Sequence, residues 1–277
     1  MADSIIGVMW CRNEGDLLPH TIPAALEQVD CLMIVDDDST DNSWDVIKSF
    51  DGQLEYAARR VDAMPTGHSD PRLFTRQHLL NQTRKRFGHQ DTWVQIIESD
   101  TILLDTDVRA AIDRYAVGDV MVPWHMLNCV RRVWTPEYDL PIIPDNMPLH
   151  DYFDACHHME QLSCYTFRPL PDIHYMSRPT PWPRGLSNYL PENISRKLKK
   201  GDNNPLVAHY GLRSPTFYHL KMKDTPMVKH PTWDVSTPES TLRTVPFFNG
   251  QWNNNPETFS PISREGWCGF LRGDCRG

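Results

Sequence analysis

The sequence lacks the features that mark membrane-spanning, secreted and nucleic-acid-binding proteins. No stretch approaches the roughly 20 consecutive apolar residues that a transmembrane helix needs. The N-terminus has no basic segment followed by an apolar core, so we expect no secretory signal. The seven cysteines are scattered without paired spacing, which indicates reduced thiols and a cytoplasmic protein. The net charge of −8 argues against a dedicated nucleic-acid binder.

The first part of the chain alternates strand and helix patterns. Apolar runs predict strands at residues 5–10, 31–35, 54–58, 93–97 and 119–123, and helical spacing predicts helices between them. This alternation is typical of an α/β fold with a mainly parallel central sheet and helices on both faces. After Trp124, prolines and aromatic residues become frequent and periodicity fades. We therefore expect a loop-rich region there that shapes a binding cleft.

Two acidic clusters follow two of the predicted strands. Asp36, Asp37 and Asp38 come after the second strand, and Glu98 and Asp100 follow the strand at residues 93–97. In a parallel sheet both clusters lie on the same carboxyl edge, where open α/β folds bind ligands. Carboxylate oxygens two positions apart suit Mg²⁺ or Mn²⁺. For the second cluster, a polar turn without a metal is the alternative.

Several short motifs resemble those of the family 2 glycosyltransferases, which have the GT-A fold. The sequence VDDDSTDNS at residues 35–43 is similar to that family's hallmark, and VMWCRNE at 8–14 to its first strand and nucleotide loop. IIESDTIL at 96–103 stands where the family carries a metal-binding Asp-x-Asp. FRP at 167–169 and HYG at 209–211 resemble motifs of one branch, whose histidine completes the metal shell.

This resemblance covers about residues 4–223 and implies a glycosyltransferase with a nucleotide-sugar donor, which we expect to be a UDP-sugar. It implies that Asp36 and Asp37 hold the base and ribose, so that substitution of Asp36 weakens donor affinity. The candidate donor-binding residues are Arg12, Asn13, Glu14, Asp36, Asp37, Arg76 and Ser99. The candidate ligands of Mn²⁺ or Mg²⁺ are Glu98, Asp100 and His209.

The sequence departs from the family pattern at three places. Glu98 replaces the usual first Asp but can still reach a metal, and Asp38 stands where the family commonly has Gly. Residues 178–182 contain no carboxylate, whereas related sequences often place a His-Glu pair there. The catalytic base is therefore not assigned by position. We prefer Asp172 and Glu160 as the base of an inverting transfer, whereas a retaining transfer would need no such base.

These roles divide the chain into three parts. Residues 1–123 form the α/β nucleotide-sugar-binding half, and residues 124–225 form the acceptor-binding and metal-completing half of the same domain. Residues 226–277 form a C-terminal tail that packs on or near it. The aromatic residues expected to line the acceptor are Trp124, Trp134, Tyr175 and Trp182.

The acceptor itself is not specified by the sequence. A polysaccharide, a protein, a small molecule and a modified nucleic acid all remain open, and the basic run at residues 196–200 could contact a polyanionic acceptor.

Two other functions also remain open. A nucleotidyltransferase uses a related sheet and Mg²⁺, but it opens with a Gly-rich basic loop that residues 11–15 match poorly. The second is a nucleotide-sugar-binding protein that has lost its chemistry, which the missing carboxylate near Pro179 would explain.

Overall fold

A computed structural model describes most of the first half of the chain and selected parts of the second. The described residues are 3–60, 71–103, 108–131, 134–135, 137–140, 142–144, 149–153, 155–175, 205–211, 213–224, 234–245 and 259–261. Within these ranges, side chains are not described at 71–73, 125, 130, 150–151, 155–165, 222–224 and 259–261.

The chain forms two compact units, each built from two separate stretches. The first unit combines residues 1–125 and 160–207, and the second combines 126–159 and 208–277. The division into parts 1–123, 124–225 and 226–277 stays a prediction.

Strands and helices alternate in the first unit as predicted. The strands of the chain are β1 (Ser4–Cys11), β2 (Cys31–Asp36), β3 (Tyr56–Arg59), β4 (Thr92–Glu98), β5 (Thr101–Leu103), β6 (Met121–Val130), β7 (Ala155–Phe167), β8 (Leu206–His209) and β9 (Phe259–Pro261). The helices are α1 (Leu18–Leu26), α2 (Ser43–Ser49), α3 (Pro71–Phe87), α4 (Val108–Tyr115), α5 (Leu149–Tyr152), α6 (Pro215–Asp224) and α7 (Pro238–Thr244).

The central sheet is mainly parallel in its first four strands. β3, β2, β1 and β4 are neighbours in that order and all run parallel. β7 pairs antiparallel with β4, with Val94 opposite Phe167, and the order continues through β6 and β8 to β5. The predicted α/β fold, with a mainly parallel sheet in these strands, is therefore confirmed.

Both faces of β1 are covered, which explains its continuous apolar sequence. On one face, Met9 and Cys11 join a buried cluster that includes residues of α1, α2 and β2. On the other face, Val8 and Trp10 line a small cavity against Leu79 of α3. Alternate β1 residues thus serve opposite layers of the unit.

The strand ends bring the acidic clusters to one edge of the sheet. Cys11, the last residue of β1, pairs with Asp36, the last residue of β2. On the other side of β1, Trp10 pairs with Glu98, the last residue of β4. The residues that follow these three strands therefore share one carboxyl edge, as the sequence predicts.

The second unit has its own aromatic core. Tyr152 and Phe153 pack edge to face, with ring centroids 5.0 Å apart, and Phe153 contacts Tyr210 at 5.1 Å. Asp139 begins α6 by accepting a hydrogen bond from Thr216 N at 2.8 Å. Among the described residues, no helix combines the length and apolar character needed to cross a bilayer.

Candidate active site

Residues of the β2–α2 loop fix the loop that follows β1. Ser39 Oγ accepts a hydrogen bond from Asn13 N at 2.9 Å, and Ser43 Oγ accepts one from Glu14 N at 2.9 Å. In return, Asn13 Oδ1 accepts a hydrogen bond from Thr40 N at 2.7 Å. The side chains of Asn13 and Ser39 therefore hold the two loops together at the candidate donor site.

Asp36 is a fully buried acid whose two oxygens are occupied by the protein. Its Oδ1 accepts from Ser39 N at 3.2 Å and from the Cys11 thiol at 3.7 Å. Its Oδ2 accepts from Arg59 Nε at 3.2 Å. These contacts close the turn after β2 and tie it to β1 and β3, so the geometry favours a structural role for Asp36.

Asp37 has a different environment, although it is also buried. Its Oδ1 forms an ion pair with Arg60 Nε, and its Oδ2 lies 4.0 Å from Arg12 Nη1. Burial raises the pKa of Asp37, while the charges of Arg60 and Arg12 oppose that rise. The two arginines therefore hold this carboxylate in place at the candidate donor site.

Asp38 adopts the left-handed backbone conformation, with φ of 56°. Glycine reaches this region without strain, and aspartate is among the residues that tolerate it best. This conformation explains why the family that the sequence resembles commonly has glycine at this position. In this chain the side chain is used as well, because Arg60 Nη2 donates to Asp38 Oδ2.

Arg59 and Arg60 lie at the candidate site, although neither was predicted from the sequence. Together with Arg12 they place three guanidinium groups beside the carboxylates of Asp36, Asp37 and Asp38. A detectable signal was present, since both arginines follow a predicted strand at residues 54–58 and so belong to the same carboxyl edge. The acid cluster is thus largely neutralised by the protein itself.

Glu98 and Asp100 form the second cluster, at the turn between β4 and β5. One carboxylate oxygen of each lies within 4.8 Å of the other. Thr101 Oγ1 donates to Glu98 O at 2.8 Å and closes the turn, in which Ser99 is buried. Arg76 Nη2 donates to Glu98 Oε1 at 3.2 Å. Two adjacent hard carboxylates, one of them oriented by an arginine, are a donor set that fits Mg²⁺ or Mn²⁺.

Helix α3 supplies Arg76, but its other arginines have separate roles. The Arg76 guanidinium lies over the Trp10 ring, 3.9 Å from its centroid, in addition to its contact with Glu98. Arg84 Nε donates to Pro169 O at 2.8 Å and so fastens the segment after β7. Arg86 Nη1 contacts Glu55 Oε1 at 2.7 Å on the surface. Of these three, only Arg76 lies at the candidate site.

His209, at the end of β8 in the second unit, is held in a defined tautomer. Its Nδ1 lies 2.6 Å from Asn128 Oδ1. Because an amide oxygen only accepts, we assign the proton to Nδ1, which leaves the lone pair on Nε2. An imidazole oriented by a second side chain in this way is the arrangement usual for metal-binding histidines.

The two predicted catalytic bases are placed differently. Asp172 is exposed, and its charge acts on Arg84. Arg84 is eight residues along α3 from Arg76, a rise of about 12 Å. The structure therefore does not bring Asp172 to the edge that holds Glu98. The side chain of Glu160 lies outside the described residues.

Trp124 was expected to line the acceptor site, but the structure shows that its side chain is not accessible. Its ring is fully buried, and its Nε1 donates to Thr166 Oγ1 at 2.7 Å inside the sheet. Tyr175 is also nearly buried and packs on Phe167 with centroids 6.4 Å apart. Trp134 is partly buried and lies 6.2 Å from Tyr152 within the second unit.

The remaining expectations for the acceptor region concern Trp182, the segment 178–182 and the basic run 196–200. All of these residues lie outside the described ones.

A comparison with protein families finds a match in the region that contains the acid cluster. A family model described as Glycosyl transferase family 2 matches residues 8–63. No curated protein matches the chain.

Several solved structures show distant similarity. TarS 1-349 from S. aureus is 11% identical, with 92% of this chain and 73% of that chain covered and a TM-score of 0.40. A mannosyltransferase from Pyrobaculum calidifontis, in complex with GDP-Man and Mn²⁺, is 18% identical over 47% of this chain and 36% of its own, with a TM-score of 0.32.

A third similar structure is glucosyl-3-phosphoglycerate synthase from Mycobacterium tuberculosis, in complex with Mn²⁺, UDP and glucosyl-3-phosphoglycerate. It is 20% identical, with 36% of this chain and 34% of that chain covered and a TM-score of 0.27. The chain thus spans about a third of the last two proteins. Similarities this distant leave the donor to be argued from the site.

The matched residues 8–63 contain the end of β1 and the loop after it, the Asp36–Asp38 cluster and Arg59–Arg60. The resemblance noted in the sequence is thereby confirmed for the part of the chain that holds the candidate donor site. Residues 8–63 are similar to the family 2 glycosyltransferases.

Proposed function

We propose that this protein is a glycosyltransferase that moves a sugar from a UDP-sugar to an acceptor in a reaction that depends on Mn²⁺ or Mg²⁺. The observation that carries the proposal is the pair of neighbouring carboxylates of Glu98 and Asp100, a donor set that suits these ions. Asp37, which is buried at the same edge of the sheet and paired with Arg60 and Arg12, is the proposed partner of the donor's uracil or ribose.

Glu98, Asp100 and His209 are the proposed metal ligands. The adjacent carboxylates of the first two, and the hydrogen bond that orients the imidazole of the third, support this assignment. A bound divalent cation would neutralise the charge that develops on the departing diphosphate. Arg76 keeps the Glu98 carboxylate oriented, and its remaining donors could contact the phosphates.

Glu160 is the proposed catalytic base of an inverting transfer. In the register of β4 with β7, Val94 is opposite Phe167 and Gln95 is opposite Thr166. Continued by the same step, this register would bring the earlier residues of β7, including Glu160, toward the carboxyl end of β4. Asp172 instead precedes Ile173, whose carbonyl accepts from Arg84, and this favours Glu160.

Titration of UDP by calorimetry, with and without Mn²⁺, tests the proposal. We expect wild type to bind UDP more tightly with Mn²⁺, and Asp100→Ala to lose that enhancement. Asp37→Asn should lose about tenfold in affinity, because one hydrogen bond to a charged group is removed. Asp113→Asn, an exposed acid of α4, is the control. Absence of UDP binding with Mn²⁺, or an unchanged Asp100→Ala, would refute the proposal.

Product analysis then separates glycosyl transfer from the alternatives. Incubation with a panel of UDP-sugars and Mn²⁺ should release free UDP, and Glu160→Gln should slow the release without weakening UDP binding. Release of pyrophosphate would indicate nucleotidyl transfer. Binding without any turnover or hydrolysis would indicate a binding protein.

A further inference from the structure

The acid cluster contains an arginine that no part of the proposed reaction yet uses. Arg60 directly follows β3, and its guanidinium contacts two carboxylates at once: Nε pairs with Asp37 and Nη2 donates to Asp38. Its side chain is about one quarter exposed, so the pair with Asp37 is shielded from water on most sides. Shielding strengthens such an interaction compared with a surface pair.

The contact with Arg60 places positive charge directly on one oxygen of Asp37. Nε and Asp37 Oδ1 form an ion pair, and the hydrogen bond and charge of Arg60 both oppose the rise in the pKa of Asp37 that burial causes. The other oxygen, Oδ2, lies 4.0 Å from Arg12 Nη1. Oδ2 is therefore the oxygen that we assign to the donor.

Three charged groups face Asp37. Arg60 approaches from β3, Arg12 lies 4.0 Å away at the end of β1, and Asp38 adds a repulsive charge from the same turn. Burial raises the pKa of Asp37, and Arg60 opposes this more strongly than Arg12 does. Without Arg60, burial and Asp38 would act against one remaining, more distant arginine.

We propose that Arg60 is a positioning residue for donor binding: it keeps the buried Asp37 carboxylate ionised, so that this carboxylate accepts a hydrogen bond from the donor's nucleoside. The inference rests on the proposed function, because it deepens the role given to Asp37. It predicts that loss of Arg60 changes the pH dependence of donor binding, whereas a purely structural role would lower affinity equally at every pH.

The test is the pH profile of UDP binding at saturating Mn²⁺, between pH 5 and pH 8. In Arg60→Met we expect the midpoint at which affinity falls on acidification to rise by about one pH unit, as expected for loss of a close opposite charge. Arg60→Lys keeps a charge and should stay near wild type. Arg86→Met, a surface arginine paired with Glu55, is the matched control.

A double-mutant cycle adds a second criterion. If Arg60 acts through Asp37, then Arg60→Met should cause no further loss of UDP affinity in an Asp37→Asn background. An unshifted midpoint in Arg60→Met, or full additivity with Asp37→Asn, would overturn the inference.

A measurement without nucleotide separates this inference from the proposed function. A buried acid with a raised pKa destabilises the folded state increasingly as the pH rises above its unfolded pKa. The loss of stability in Arg60→Met should therefore grow from pH 5 to pH 8, and should grow less in the Asp37→Asn background. If that pattern appears while wild type binds no UDP, the pairing is correct and the proposed donor is wrong. A loss that does not vary with pH contradicts the pairing itself.

Discussion

Three consecutive aspartates at the end of β2 have three different environments. Asp36 accepts hydrogen bonds from Ser39, Cys11 and Arg59, whereas Asp37 is held by ion pairs with Arg60 and Arg12. Asp38 occupies a left-handed turn position. In a strand, successive side chains point alternately to the two faces of the sheet, and this regularity stops where the strand ends. Neighbouring residues of one motif therefore need not share a role.

At the residue scale, this difference changes which acid should control donor affinity. The sequence alone predicts loss of donor affinity for Asp36. The structure instead predicts that Asp36→Asn destabilises the fold by about 2 kcal/mol, because a buried acceptor of several hydrogen bonds becomes a mismatched amide. Urea unfolding measures this loss, and UDP affinity of the folded fraction should fall less than in Asp37→Asn. A stable Asp36→Asn that binds no UDP would contradict the assignment.

The identity of the clustered acids could be read from the sequence, but their partners could not. The ends of β2 and β4 were predictable because apolar runs stop at Asp36 and Glu98. The pairing of Arg59 with Asp36 and of Arg60 with Asp37 depends on how β3 aligns with β2. A sequence pattern gives the edge on which a side chain lies, whereas register decides which side chain it touches.

At the element scale, β6 shows where reading by pattern fails. The sequence predicts a strand at residues 119–123 that ends at Pro123, with Trp124 exposed to an acceptor. The observed strand continues through Pro123 to Val130. The Trp124 ring is buried, and its Nε1 donates a hydrogen bond to Thr166 Oγ1. Proline removes only one donor, and an aromatic ring with a satisfied N–H is stable in a core.

Strand β1 is closely packed at Gly7. A Cβ added to Gly7 would lie 2.9 Å from Leu32 Cδ1 and 3.2 Å from Ile97 Cδ1, two buried side chains of the adjacent strands. We expect Gly7→Ala to lower the free energy of unfolding by about 1–3 kcal/mol through overpacking. Urea denaturation measures the change.

The control for this prediction is the cycle with Leu32→Ala, which removes the nearest obstructing atom. The double variant should be more stable than the sum of the two single effects predicts. Strict additivity would mean that Leu32 does not limit the space beside Gly7.

At the scale of the whole first unit, one polar network joins its two separate stretches of chain. Arg168, from the second stretch, donates to Gln90 O at 2.8 Å and to Asp119 O at 3.0 Å. It also donates to Asp3 Oδ2 at 2.7 Å, and its guanidinium lies over the Trp93 ring. The network lies at the ends of the sheet strands opposite the candidate site. This network could not be predicted from a sequence motif, because its residues are far apart in the chain.

Asp3 gives this network a pH dependence that can be measured. Burial alone would raise its pKa, but hydrogen bonds from Arg168 and Trp93 and nearby positive charge outweigh burial and lower it. A lowered pKa stabilises the fold at pH values above the unfolded pKa of about 3.9, and this contribution is lost as the pH falls through the folded pKa. Because Asp3 is partly exposed, we expect Asp3→Asn to cost less than about 1 kcal/mol at pH 7.

The measurement is the difference in unfolding free energy between wild type and Asp3→Asn, followed by urea denaturation from pH 7 down to pH 3. The difference should stay constant to about pH 5 and then vanish, because protonated Asp3 no longer attracts Arg168. Arg168→Met should lose more at pH 7, since it also gives up its bonds to Gln90 and Asp119. UDP binding should persist in both variants. A difference that is independent of pH would show that the carboxylate charge of Asp3 does not join the two stretches.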